Sequence, residues 1–171
     1  MNESELINPS VELDQSRMLI ADVSAEDKER FFKSILADKP YEEAIKLFDG
    51  QVTVRFRTMT VQENSDVVNQ IVADRKLGVA ADNDAYFITI STYRMGICLV
   101  SIDDTPFSSI TKETYTPFTE NDSYILARSK PIKLWSTARL AVMLDAFKSF
   151  EAKLIKLTKE VQTQNFWKAS A

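Results

Sequence analysis

The stretch that most constrains this chain is residues 131–161. There Leu140, Met143, Phe147, Phe150, Leu154, Leu157 and Val161 recur three or four positions apart, the spacing that gathers side chains on one face of an α-helix. The heptad-like seam predicts a long helix from about residue 133 to 162, with Pro131 near its first turn. At 1.5 Å per residue it would run about 45 Å, longer than a compact domain of this size needs. Part of the seam is therefore expected to reach a neighbouring subunit. Just beyond it stand Phe166 and Trp167, side by side. Keeping two such rings dry is worth several kcal/mol at roughly 25 cal/mol per Å². They have two ways to find cover, folding back onto the chain's own core or anchoring in a partner's pocket. The expected partner-binding set is thus Phe147, Phe150, Leu154, Leu157, Val161, Phe166 and Trp167.

Upstream, residues 1–22 carry Pro9, many acidic side chains and few hydrophobes in register, which predicts a flexible acidic arm ahead of a single domain over 23–171. Ser24 as N-cap, acids in the first turn and an apolar face of Phe31, Phe32, Ile35 and Leu36 predict a helix. Pro40 restarts the chain, and Tyr41, Ile45, Leu47 and Phe48 predict a second short helix, stopped by Asp49-Gly50. In QVTVRFRTMT (51–60), Val52, Val54 and Phe56 alternate with Thr53, Arg55 and Arg57, the pattern of a strand. Thr60 and Glu63 form a capping box for a helix whose face is Val61, Val67, Val68, Ile71 and Val72. Residues 82–102 are rich in β-branched side chains, yet Tyr86, Ile90, Tyr93, Ile97 and Val100 keep helical spacing. The stretch exceeds the roughly 3 to 10 residues of a strand, so a helix is expected. Asp103, Asp104 and Pro106 mark a turn, 107–125 an extended Ser/Thr-rich excursion, and the surroundings of Arg128 a solvated link. The resulting fold class is α+β, mostly α-helical, with a small β-sheet around residues 51–59 and a long C-terminal helix.

Several function classes are excluded by composition. The chain has no histidine and one cysteine, Cys98. An internal disulfide, the usual zinc sets and the commonest general base are missing. Cys98, inside YRMGICLVSI, reads as a small buried hydrophobe. Neither a run of about 18 uncharged apolar residues nor a secretory leader is present, so no membrane partner is expected. Charge is uneven: residues 1–126 hold 22 acidic and 12 basic side chains, residues 127–171 hold 3 and 9, a body of −10 against a last quarter of +6. The basic residues are spread along a helix without a cluster or interleaved aromatics, which favours docking on acidic protein surface, of this chain or another, over nucleic acid. A nucleic-acid-associated or regulatory module using the basic last helix is the alternative reading.

Candidate chemistry is sparse. Glu42-Glu43 and Asp103-Asp104 are adjacent pairs whose side chains diverge or serve a turn. Gly50, Gly78 and Gly96 stand alone, so no phosphate-cradling loop forms, and without histidine no Ser-His-Asp arrangement exists. No catalytic, metal or cofactor site is expected. Arg55 and Arg57 can hold a phosphate or carboxylate, although a solvated or helix-covered strand face is the commoner use; they complete the partner-binding set.

The order of elements carries a resemblance. ADKPYEEAIKLFDGQVTVRFRTMTVQE (37–63), RMGICLVSIDDTPF (94–107) and LDAFKSFEAKLIKLTKEVQTQNFW (144–167) together resemble the small tail proteins of tailed bacteriophages, of the tail assembly chaperone or baseplate-hub accessory type. The resemblance covers roughly residues 30 to 167. It implies a non-enzymatic protein that binds other tail or baseplate proteins through helices and aromatics, with self-association as an option. It also implies a place in the virion tail or, during assembly, in the host cytoplasm.

Overall fold

A computed structural model describes residues 23–78, 83–117, 119 and 122–163. The expected arm, 1–22, and the pair Phe166 and Trp167 lie outside them. Among the described residues the order is α1 (Ala25–Leu36), β1 (Glu42–Leu47), β2 (Val52–Arg57), α2 (Val61–Lys76), α3 (Asn83–Cys98), β3 (Leu99–Ile102), β4 (Thr105–Pro106), α4 (Tyr124–Ser129) and α5 (Thr137–Gln162). The fold is α+β and mostly helical, and the predicted strand, β2, lies inside a four-stranded antiparallel sheet of order β1-β2-β3-β4.

The helix starts follow from their caps. Ser24 Oγ accepts the Asp27 amide at 3.1 Å, while Asp27 Oδ2 accepts the Ser24 amide at 3.2 Å. Thr60 and Glu63 repeat this box ahead of α2 at 3.1 and 2.9 Å. Each box satisfies two donors that a helix start leaves open. Of the face expected for α1 only Phe31 is buried, whereas Ile35 and Leu36 are exposed.

Residues 41–48 do not form the expected second helix. Glu42–Leu47 is an edge strand paired with β2 in the register Glu43↔Phe56, Ile45↔Val54 and Leu47↔Val52. The residues are good helix formers, but a run this short cannot nucleate alone, and pairing with β2 overrides propensity. Asp49-Gly50, expected as a helix stop, is the hairpin turn. Residues 82–102 divide: α3 holds Tyr86, Ile90, Tyr93 and Ile97 as predicted, then passes without a loop into β3. Val100 is skipped between Arg55↔Ser101 and Phe56↔Leu99, as the extra residue of a β-bulge.

Pro131 does not open the last helix. It precedes a 3-10 turn, Ile132–Leu134, and Ser136 caps α5 by accepting the Arg139 amide at 3.2 Å. The 26 residues of α5 span about 39 Å. The segment around Arg128, expected as a solvated link, is α4, and Arg128 is buried. Its guanidinium donates to the carbonyls of Gly96, Leu99 and Ile110 at 3.1, 2.8 and 3.2 Å. The first two bonds close carbonyls where α3 ends and β3 begins, and the third ties in the segment after β4.

Two apolar clusters hold these elements. The larger joins Phe31, Tyr41, Val54, Phe56 and Leu99 to the seam of α5, with the Phe56 ring 5.4 Å from Phe147 and 5.6 Å from Phe150. The smaller joins Val67 and Ile71 of α2, Tyr93 and Ile97 of α3, and Tyr124 and Ile125 of α4. At its edge Tyr93 Oη donates to Asp74 Oδ2 at 2.6 Å, so burial and the neighbouring carboxylate both raise the phenol's pKa.

Candidate docking surface

The seam expected to bind a partner closes on the chain itself. Phe147 and Phe150 are 1% exposed and Leu157 is 0% exposed, while Leu154 and Val161 are partly buried against the same cluster. The reason is geometric: the sheet covers the middle of α5 and α1 covers its C-terminal half, where Lys28 meets Glu160 at 3.0 Å. The length of α5 is used inside the molecule. Phe147, Phe150 and Leu157 are core, and assigning these three to a partner is corrected; Leu154 and Val161 keep part of their surface open.

One lysine of the basic last quarter also finds acids at home. Lys153 Nζ lies 2.9 Å from Asp27 Oδ2 and 2.8 Å from Glu43 Oε1. Arg30 reaches the other Glu43 oxygen at 3.2 Å, and Tyr41 Oη donates to the same oxygen. Burial would lower the Lys153 pKa, but the two carboxylates outweigh it and raise it. This network ties α1, β1 and α5 together.

The two strand arginines part ways. Arg57 is held by Glu63 through bonds of 2.9 and 2.6 Å. Burial raises the Glu63 pKa, but the Arg57 bonds and the Thr60 amide outweigh it and leave the carboxyl below its usual range. Arg57 therefore fixes the β2–α2 corner and is corrected as a free partner contact. Arg55, half-buried between Ala44 and Ser101 in the register, has a side chain with no hydrogen bond or ion pair among the described residues and lines a surface cavity with Lys33 and Tyr41. Cys98 is buried beside the core, and burial pushes its thiol up to about 12, the inert state expected for it.

The feature that sequence reasoning missed sits at the N-terminal end of α5. Phe48 and Val52 of the β1–β2 hairpin, Ile102 and Asp103 of β3 and its turn, and Arg139 and Val142 of α5 line a groove of about 540 Å³. Its lining is mainly apolar, with charge confined to Asp103 and Arg139. Phe48 is 60% exposed and Leu134, nearby in the chain before α5, is 85% exposed. Arg139 stacks over the Trp135 ring at 4.6 Å, and Trp135 meets Phe107 edge-on at 6.0 Å. The two hairpin tips are built from strained backbone: Phe48 and Asp49 at φ 51° and 54°, Asp103 and Asp104 at 47° and 60°. A bulky residue held left-handed and left in water does little for the fold. An apolar concavity with few charged groups is the usual form of a recognition site. The Asp-Asp and Asp-Gly pairs were the available signal, as hairpin turns that bring two tips beside one helix.

A second apolar strip, Val61, Val68 and Val72, runs along the outer face of α2. Val67 and Ile71, from the same predicted face, are buried.

No protein-family model, curated protein or solved structure matches the chain.

Proposed function

We propose that this chain is a non-catalytic docking protein of a bacteriophage tail or baseplate, joined to other tail subunits through the groove beside Phe48 and the N-terminal end of α5. The phage assignment is supported by the sequence resemblance over residues 30 to 167. The docking role is supported by one observation above the rest: a phenylalanine at a strained hairpin tip, 60% exposed beside an apolar groove. Exposed rings in desolvable pockets are the anchors that dominate protein interfaces. The seam of α5 serves the fold, so the binding work falls to this end of the molecule, to Arg55, and to Phe166 and Trp167 beyond α5.

The test is a mass-spectrometric census of purified tail particles and assembly intermediates from the source phage, with and without Val142→Asp. The proposal expects the wild-type chain in one of these fractions, and the folded variant to be lost from it. Absence of the chain from all tail fractions removes the phage assignment. An unchanged level of the variant removes the groove.

A further inference from the structure

Resting on that docking reading, we infer that the groove of one copy receives Phe166 and Trp167 of a second copy, so that the chain assembles with itself head to tail. The geometry excludes the same-chain arrangement. Met143, at the groove, is 19 residues before the end of α5 at Gln162, a distance of about 28 Å along the helix. From Gln162 to Trp167 the chain can extend at most about 17 Å. The aromatic pair cannot return to its own groove, whereas a neighbour's pair meets no such limit.

The groove suits this occupant. Its volume of about 540 Å³ lies within the ~300–1,000 Å³ of pockets that enclose aromatic-bearing ligands. Asp103 stands in the lining and Asp104 and Asp49 at the two hairpin tips beside it, all exposed. Against these acids the groove sets one cation, Arg139, already stacked on Trp135. The segment brings Lys168 directly after Trp167, so seating the rings sets an ammonium near the acidic tips, an opposite-sign arrangement that selects the partner.

The groove and the pair are different surfaces, an acceptor and a donor carried by every copy. Two copies either exchange them reciprocally as a closed dimer or pass them on one way into a larger ring or a filament.

The experiment is light scattering on the full chain over a hundred-fold concentration range, with three variants. Phe166→Ser/Trp167→Ser removes the donor, Val142→Asp blocks the acceptor, and Phe48→Ser is a second acceptor variant at an exposed site. Circular dichroism confirms that each is folded. Wild type is expected to form dimers or larger species, and each variant to stay monomeric. An equimolar mixture of donor-less and acceptor-less chains is expected to give a species of twice the monomer mass and none larger, since one intact contact remains. A monomeric wild type, oligomers that survive either change, or a mixture without rescue overturns the inference. A monomeric wild type that is still present in tail particles ends the head-to-tail contact alone and leaves the docking proposal standing.

Discussion

Phe48 sits in a left-handed conformation at φ 51°, which costs an L-residue about 1–2 kcal/mol. Glycine takes that region freely, so Phe48→Gly is expected to raise the stability of the monomer by about 1 kcal/mol, read from the urea midpoint, while weakening self-association. A loss of stability instead would show that the ring supports the hairpin and would remove it as an anchor. Arg128 represents the opposite case, a charged side chain committed to the fold. Burial lowers its pKa, yet the charge is kept and shared among three carbonyls. Arg128→Met keeps much of the apolar stem and removes all the donors. It is expected to cost about 3 kcal/mol, since acceptors left buried without donors lose far more than the net worth of a hydrogen bond. A loss under about 1 kcal/mol in urea denaturation would mean that water or other donors replace it.

Among the elements, α5 decides between a core helix and an interface helix. If its seam served a partner, truncation would leave the monomer unaffected. Phe147 packs against both Phe56 and Phe150 with 1% exposure, so Phe147→Ala is expected to lower monomer stability by about 3–5 kcal/mol. An unchanged thermal transition in dilute solution would restore the interface reading. The elements legible in sequence were those with their own local signals. The Ser24 cap and the Thr60–Glu63 box announced α1 and α2, strict alternation announced β2, and the repeat of α5 was visible from Leu140 to Val161. β1 was misread because its periodicity is short and its residues favour helix, while the partner that makes it a strand follows the turn. α3 and β3 merged into one helix because no punctuation separates Cys98 from Leu99. The groove was illegible for another reason: it is assembled from residues near 50, 102 and 140, and no sequence window contains all three. Arg57 and the α5 seam were found as residues of consequence, but sequence does not say whether a side chain faces its own chain or another.

For the molecule as a whole, the distribution of titrating groups predicts a stability plateau with two distinct edges. Glu63 and Asp27 are both subject to burial, which raises a carboxyl pKa, but hydrogen bonds and charge from Arg57 and Thr60, and from Lys153 and Ser24, outweigh it and hold both below the ordinary values of 4.5 and 3.8. Asp66 is lowered by its bond to Lys112. A carboxyl depressed in the folded state binds fewer protons there than in the unfolded chain. Its contribution is therefore complete above the unfolded pKa and lost as pH falls through the folded one. On the alkaline side burial raises Cys98 from 9.0 to about 12, and burial with Glu43 or Asp74 raises Tyr41 and Tyr93 above 10.0. A pKa raised by folding gives stability that is complete below the unfolded value and lost as pH climbs toward the folded one. The sequence contains no histidine, so no side chain with an ordinary pKa between these edges supplies a slope. Denaturant midpoints are expected to be level from about pH 5 to 9 and to decline on both sides. Glu63→Gln is expected to lower the plateau and flatten the acid edge together, because the group that stabilises the β2–α2 corner is also one that titrates. A slope between pH 5 and 8 in the wild-type chain would mean that a carboxyl outside these assignments has been moved into that window. An acid edge unchanged in Glu63→Gln would place the loss of stability in the Asp27 and Lys153 network that joins α1, β1 and α5.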